Sequence, residues 1–172
     1  DEGRQNAGYG ESHCWFTDAG LIAAGMEKNQ IPATGASQSL FDFVPYDNAP
    51  VLPEEGDAAD IAFRFSDVAP VTLSYDASSS RYLKNAFDAP QIDESTGMQL
   101  AFDNVLLLFA EIKLKNPDDP NNRVTDFTLT GGTGYYCYGG KYRAIRWSKG
   151  NPEDALHILD ESGAVLPVNV GR

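Results

Sequence analysis

The chain has 172 residues, of which 42% are hydrophobic and 11% aromatic, enough apolar side chain for a packed core and too much for intrinsic disorder. Its net charge of −12, with lysines and arginines scattered rather than striped, repels phosphate backbones and anionic lipid headgroups, which excludes nucleic acid and a peripheral membrane surface as natural partners. The longest apolar run, residues 105–110, falls far short of the roughly twenty residues of a membrane-spanning helix.

Residues 1–12 are rich in glycine, asparagine and charge, carry no periodicity and read as loop. The opening Asp1-Glu2-Gly3-Arg4 has no signal-peptide pattern, which reads as a cytosolic chain or a trimmed one. After the short apolar run His13-Cys14-Trp15-Phe16, Thr17 is placed to cap a helix over residues 18–28, with Leu21, Ile22 and Met26 at helical spacing and Asn29 and Pro32 as stop signals. Residues 35–60 hold Pro45, Pro50, Pro53 and a cluster of acids around one apolar patch at residues 40–44, and read as a long linker. The expected division is therefore a remnant domain at residues 1–60 and a β-rich domain at residues 61–172.

From Ile61 the period becomes two. Ile61, Phe63 and Phe65 alternate with Ala62, Arg64 and Ser66, and Val71, Leu73 and Tyr75 alternate with Thr72 and Ser74. Residues 82–87 return after a turn at 76–80, and Asp93 and Gly97 mark the next turn. Residues 104–115 form the longest predicted strand, apolar on both faces in its first half and so expected at the centre of its sheet. A separate strand is predicted at 124–130. Tyr135-Tyr136-Cys137-Tyr138 and residues 141–147 flank Gly139-Gly140, a pair suited to a two-residue turn with positive φ. Residues 156–159 and 165–168 make a last hairpin. The sum is a mainly β fold, an antiparallel β-sandwich or partly open barrel of about eight strands with one N-terminal helix.

Several of these residues form an ordered series. It comprises Tyr75 and Tyr82, Asp93-x-x-Thr96-Gly97-x-Gln99-Leu100, Asn104-Val105, Gly134-Tyr135-Tyr136, Gly140-Lys141, Ile145-x-Trp147-Ser148-Lys149, Asp160-x-x-Gly163 and Gly171. The series resembles the C-terminal domain of the YerB-like family of bacterial lipoproteins, whose biochemical function is unknown. Residues 12–17 resemble the end of that family's N-terminal domain, where a His-Asn-Leu-Tyr-Thr motif leads into a helix; Cys14 stands where the motif has asparagine. The resemblance implies that most of an N-terminal domain, a signal peptide with a lipid-modified cysteine and a short C-terminal strand lie outside this chain, which then reads as a proteolytic fragment. It further implies an extracytoplasmic, membrane-anchored lipoprotein. The implied partners are its own missing N-terminal domain and a protein or glycan of the cell envelope, with no nucleic acid and with the membrane met only through the lipid anchor.

Catalytic signals are thin. His13, with Arg4 nearby in sequence, is a candidate polar site, yet no serine, cysteine or acid stands at a spacing that would complete a triad. Cys14 has nothing beside it to lower its pKa. Cys14 and Cys137 allow one disulfide or two plain thiols and no metal site, and His157 is expected on a strand facing solvent. Tyr136, Tyr138 and Trp147 form a candidate aromatic binding patch for a sugar or peptide, with core packing as the competing role. The acids at 93–94 and 118–119 lack the ligand spacing of a calcium loop, and Gly131-Gly132-x-Gly134 lacks the lysine and helix of a phosphate loop, so no cofactor is expected. Two readings follow from this and the resemblance. One is a non-catalytic binding or scaffolding module. The other is part of a cell-wall-acting hydrolase whose site, with His13, lies mainly in a missing N-terminal domain.

Overall fold

The computed structural model describes residues 8, 18–34, 41–64, 67–119, 124–151 and 154–171, and the chain divides into two compact units, Asp1–Gln38 and Ser39–Arg172. In the first unit, helix α1 spans Ala19–Lys28. Its cap is Asp18, one residue later than expected: the extended backbone there lets the carboxylate accept the Leu21 N–H at 2.8 Å. Asn29 closes the helix as anticipated, donating its side-chain amide to the Gly25 carbonyl at 2.7 Å. His13, Arg4, Cys14 and Thr17 lie outside the described residues.

The second unit holds ten strands among the described residues: β1 (Gly56–Asp57), β2 (Asp60–Arg64), β3 (Pro70–Asp76), β4 (Arg81–Ala86), β5 (Ala89–Pro90), β6 (Ala101–Phe102), β7 (Asn104–Leu114), β8 (Thr125–Tyr138), β9 (Lys141–Ser148) and β10 (His157–Leu159). They form two antiparallel five-stranded sheets, the fold class that the periodicity predicts. One runs β1-β9-β8-β7 with β10 on the same edge of β9 as β1; the other runs β2-β3-β4-β5 with β6 also on β4. Gly139 and Gly140, at φ 60° and 76°, make the expected two-residue turn between β8 and β9. His157 is exposed on β10, as read from the sequence.

Three details differ from the sequence reading. Residues 125–138 form one strand rather than two, because the chain passes the glycine-rich stretch through an irregularity opposite Ala110, between the Phe109–Thr133 and Glu111–Thr128 pairs, without leaving the ladder. The Trp147 indole N–H steadies that point, donating to the carbonyls of Phe109 (3.1 Å) and Thr133 (3.2 Å). Strand β7 is not central: among the described residues it pairs with β8 alone, and its burial comes from cover on both faces. Finally, much of the segment expected as linker packs onto the β unit. Val44 and Ala58 are buried, β1 pairs with β9, and the backbones of residues 42–44 and Val168 exchange hydrogen bonds at 2.8 and 2.9 Å.

Two cores flank the β7-β8-β9 sheet. Between the sheets, Ile61, Leu73 and Tyr82 meet Val105 and Cys137. On the opposite face Tyr136, Ile145 and Trp147 pack with Ile158 and Val168, joined by Phe41, Leu106, Leu108 and Tyr138. The second core is pinned by a buried polar network. The Tyr136 hydroxyl accepts the Asn169 backbone N–H (3.0 Å) and donates to the Asn104 side-chain carbonyl (2.8 Å), while the Asn104 amide donates to the Asn169 carbonyl (3.0 Å). The Asn169 side chain in turn accepts the Val51 N–H (2.8 Å) and donates to the Val51 carbonyl (2.7 Å). A buried side chain with both ends satisfied fixes the approach of two chain segments that hydrophobic packing alone would leave free to slide.

Tyr82 is fully buried, and its hydroxyl makes no well-aligned hydrogen bond among the described residues, with the Gly140 backbone N–H a weak donor to it. Burial raises its pKa well above the ordinary tyrosine value. Removing a buried hydroxyl this poorly bonded relieves a desolvation cost, so Tyr82→Phe should unfold in urea at the wild-type midpoint or above it. A midpoint lowered by more than about 1 kcal/mol of stability would mean that the Gly140 contact is a full hydrogen bond.

Candidate binding cleft

The β7-β8-β9 ladder sorts side chains by row. On the face toward the second sheet, the first row is Val105, Cys137 and Tyr142, the next is Leu107, Tyr135 and Ala144, and the third is Phe109, Thr133 and Arg146. The second sheet covers the first row and then stops. Exposure rises accordingly, from 2% at Cys137 to 41% at Tyr135 and 54% at Phe109. The uncovered rows form a shelf. Phe109 and Tyr135 stand on it edge to face with ring centroids 5.9 Å apart, and Tyr135 meets the half-buried Tyr142 of the first row edge to face at 5.6 Å.

Where the shelf passes under the second sheet there is a cleft of about 200 Å³ lined by Tyr135, Tyr142, Leu107, Ile61, Cys137 and the acids Asp57 and Asp60. Tyr142 lies across β1 at Gly56, where a Cβ would sit 2.6 Å from the ring. Asp57 is paired with Lys141, whose hydrogen bond and charge hold its carboxyl below the usual carboxylate range. Asp60 accepts the Ser74 hydroxyl at 2.6 Å. The cleft thus combines one exposed and one half-buried aromatic ring, an apolar floor and two carboxylates, with Arg146 at the far end of the shelf.

Cys137, at the floor, is a free thiol whose pKa burial pushes up to about 11, so it is protonated at neutral pH and is no nucleophile. Burial likewise pushes the Tyr136 phenol up to about 12. Both folded values lie above the ordinary 9 and 10, so the stability these groups lend is complete below about pH 9 and is lost as pH rises through 11 and 12. Urea midpoints should be flat from pH 7 to 9 and fall above it, and Tyr136→Phe should flatten the part of the fall above pH 10. A wild-type midpoint unchanged up to pH 11 would contradict the burial of both groups.

The aromatics singled out in the sequence take the competing role, core packing. Tyr136 (2% exposed) and Trp147 (4%) are interior, with Tyr138 packed against the same core, because residues 41–44 and 156–169 cover that face of the sheet. They offer no stacking surface. The opposite face holds the exposed rings. Tyr135 and Tyr142 were visible in the sequence as aromatics, and Phe109 as the end of an apolar run, but nothing local joined them. Among the described residues no three histidine, cysteine or acidic side chains gather as a metal site. The Asp93 carboxylate is engaged within its own turn, accepting the Ser95 hydroxyl (2.7 Å) and the N–H groups of Ser95 (2.8 Å) and Thr96 (2.9 Å), which lowers its pKa. The acids at 118–119 border undescribed residues.

Residues 61–172 match the family described as protein of unknown function (DUF3048), C-terminal domain. The chain belongs to this family. The DUF3048 match covers all strands from β3 to β10 and nearly all of β2. Among solved structures the chain is similar to the YerB protein from Bacillus subtilis, with 19% identity and a TM-score of 0.66, covering 91% of this chain and 49% of that one. The chain therefore spans about half the length of the YerB structure, and the likeness at this identity concerns the fold. No curated protein matches.

The ordered series of residues singled out in the sequence takes on structural meaning. Asp93, Thr96 and Gly97 build the turn described above, Gly97 at φ 68°. Gln99 ties that turn to β4, donating to Lys84 and Asn85. Asn104 and Tyr136 hold Asn169, and Trp147 holds the irregularity in the β7–β8 ladder. Most residues of the series thus build the framework; Tyr135 alone of them lines the cleft, and Phe109 and Asp57 stand outside the series.

Proposed function

We propose that this chain is the framework half of an extracytoplasmic lipoprotein of the bacterial cell envelope, and that it acts as a non-catalytic binding or scaffolding module through the Phe109–Tyr135–Tyr142 shelf. The observation that carries the reading is the pair of exposed rings, Phe109 and Tyr135, standing with half-buried Tyr142 beside carboxylates on one sheet face. Aromatic faces take the apolar face of a sugar ring, and carboxylates accept its hydroxyls, so an envelope glycan suits this surface. The compartment and the membrane anchor rest on the sequence resemblance to the YerB-like lipoproteins.

Two measurements test this. The full-length protein should enter the detergent phase of a Triton X-114 partition, and replacement of a lipid-modified cysteine should move it to the aqueous phase; aqueous partition of the unaltered protein refutes the anchor. The chain should co-sediment with purified peptidoglycan sacculi, and Tyr135→Ala should weaken that binding about tenfold, a loss of roughly 1.4 kcal/mol. Binding unaffected by Tyr135→Ala moves the function off the shelf, and absence of binding to sacculi rejects a wall glycan as its ligand.

A further inference from the structure

We propose that the second half of β7 pairs with the same strand of a second copy, joining two chains through a continuous sheet. Lys115 donates its backbone N–H to the Val124 carbonyl at 2.8 Å, so the odd residues of this stretch turn their backbone groups toward β8. By alternation Ala110, Ile112 and Leu114 turn theirs to the other side, where no described strand receives them. The stretch is long and free of proline, and Ile112 (60% exposed) and Leu114 (47%) stand in the open on it. An edge of this kind is a template for another strand.

Charge selects both the occupant and the register. An antiparallel self-pair is centred on a bonded pair, at an even residue of this stretch, or on a non-bonded pair, at an odd one. Centred on Ile112, it bonds Ile112 to its own copy and each Ala110 to the other's Leu114. It also sets each Glu111 directly opposite Lys113 of the second copy. Within one chain these two side chains already approach to 3.1 Å, on the face opposite Ile112. Centred on Leu114, the pairing sets Lys113 against Lys115. Centred on Ala110, it sets Lys113 against Leu107 and Glu111 against Phe109. Centred on Lys113, it sets Glu111 against Lys115 but the two Lys113 side chains against each other, and centred on Glu111 it opposes the two Glu111 carboxylates. Only the Ile112 register matches opposite charges across the seam without opposing like ones, and its symmetry supplies the match twice.

Sedimentation equilibrium of the full chain in about 150 mM salt tests the pairing, at concentrations from micromolar to millimolar. A concentration-dependent dimer is expected. Glu111→Lys and Lys113→Glu should each weaken it about tenfold or more, since two attractive pairs become repulsive, and the double swap should restore it. Ile112→Pro removes an N–H that points away from β8, so it should leave the unfolding midpoint near wild type while abolishing the dimer. A monomer at every concentration overturns the proposal, as does a dimer indifferent to the single swaps or one that survives Ile112→Pro.

Discussion

Trp147→Ala is expected to destabilise the β unit by roughly 3–5 kcal/mol, the usual cost of truncating a large buried aromatic. Its ring is 4% exposed in the core formed with Tyr136, Ile145, Ile158 and Val168. The loss is compounded by the indole N–H, which spans the carbonyls of Phe109 and Thr133 where the β7–β8 ladder is irregular. That irregularity sits beside the third row of the shelf, so the variant should also disturb Phe109 on the opposite face. Urea denaturation followed by circular dichroism checks the prediction, with a lowered midpoint at a similar slope. Trp147→Phe, which keeps most of the apolar bulk and loses the donor, should fall between the two. A Trp147→Ala midpoint within about 1 kcal/mol of wild type would mean that the ring is not interior.

Asn169→Ala should cost roughly 2–4 kcal/mol, through desolvated groups rather than lost volume. The side chain is 1% exposed and serves both backbone groups of Val51, which lose their partners together. The variant keeps the backbone N–H that the Tyr136 hydroxyl accepts, so Tyr136→Phe probes a different link of the same network. Because the two changes share neighbours, their effects should fail to add, with a coupling of about 0.5 kcal/mol or more in a double-mutant cycle. Asn169→Asp should be at least as damaging as alanine, since a carboxylate there would be buried and cannot donate to the Val51 carbonyl. Additive single effects, or an Asn169→Ala variant as stable as wild type, would break the network reading.

Much of the framework was legible because it is local. Period-two alternation from Ile61 to Tyr75 marks β2 and β3, and Gly139-Gly140 marks its turn without any tertiary information. What escaped was whatever depends on how the faces are covered. Alternation separates Tyr136 from Tyr135 but does not say which will face solvent; that is decided by residues 41–44 and 156–169, distant in sequence. An apolar run on both faces of β7 correctly signals burial, yet burial of faces and occupancy of edges are independent, so a doubly covered strand can still end a sheet. The proline-rich stretch before residue 60 lacks periodicity because it packs through single side chains, Val44 and Ala58, rather than along a face. The shelf of Phe109, Tyr135 and Tyr142 joins three strands by register alone, which no short motif encodes. His13 and Arg4, the sequence's candidate polar site, fall outside the described residues.

The central claim is that this sheet buries Tyr136 and presents Tyr135. Nitration of the native chain with tetranitromethane, mapped by peptide mass, tests it directly. Tyr135 should be modified in the folded protein, while Tyr136 and Tyr82 should react only after unfolding. Modification of Tyr136 as fast as Tyr135 under native conditions would contradict the account.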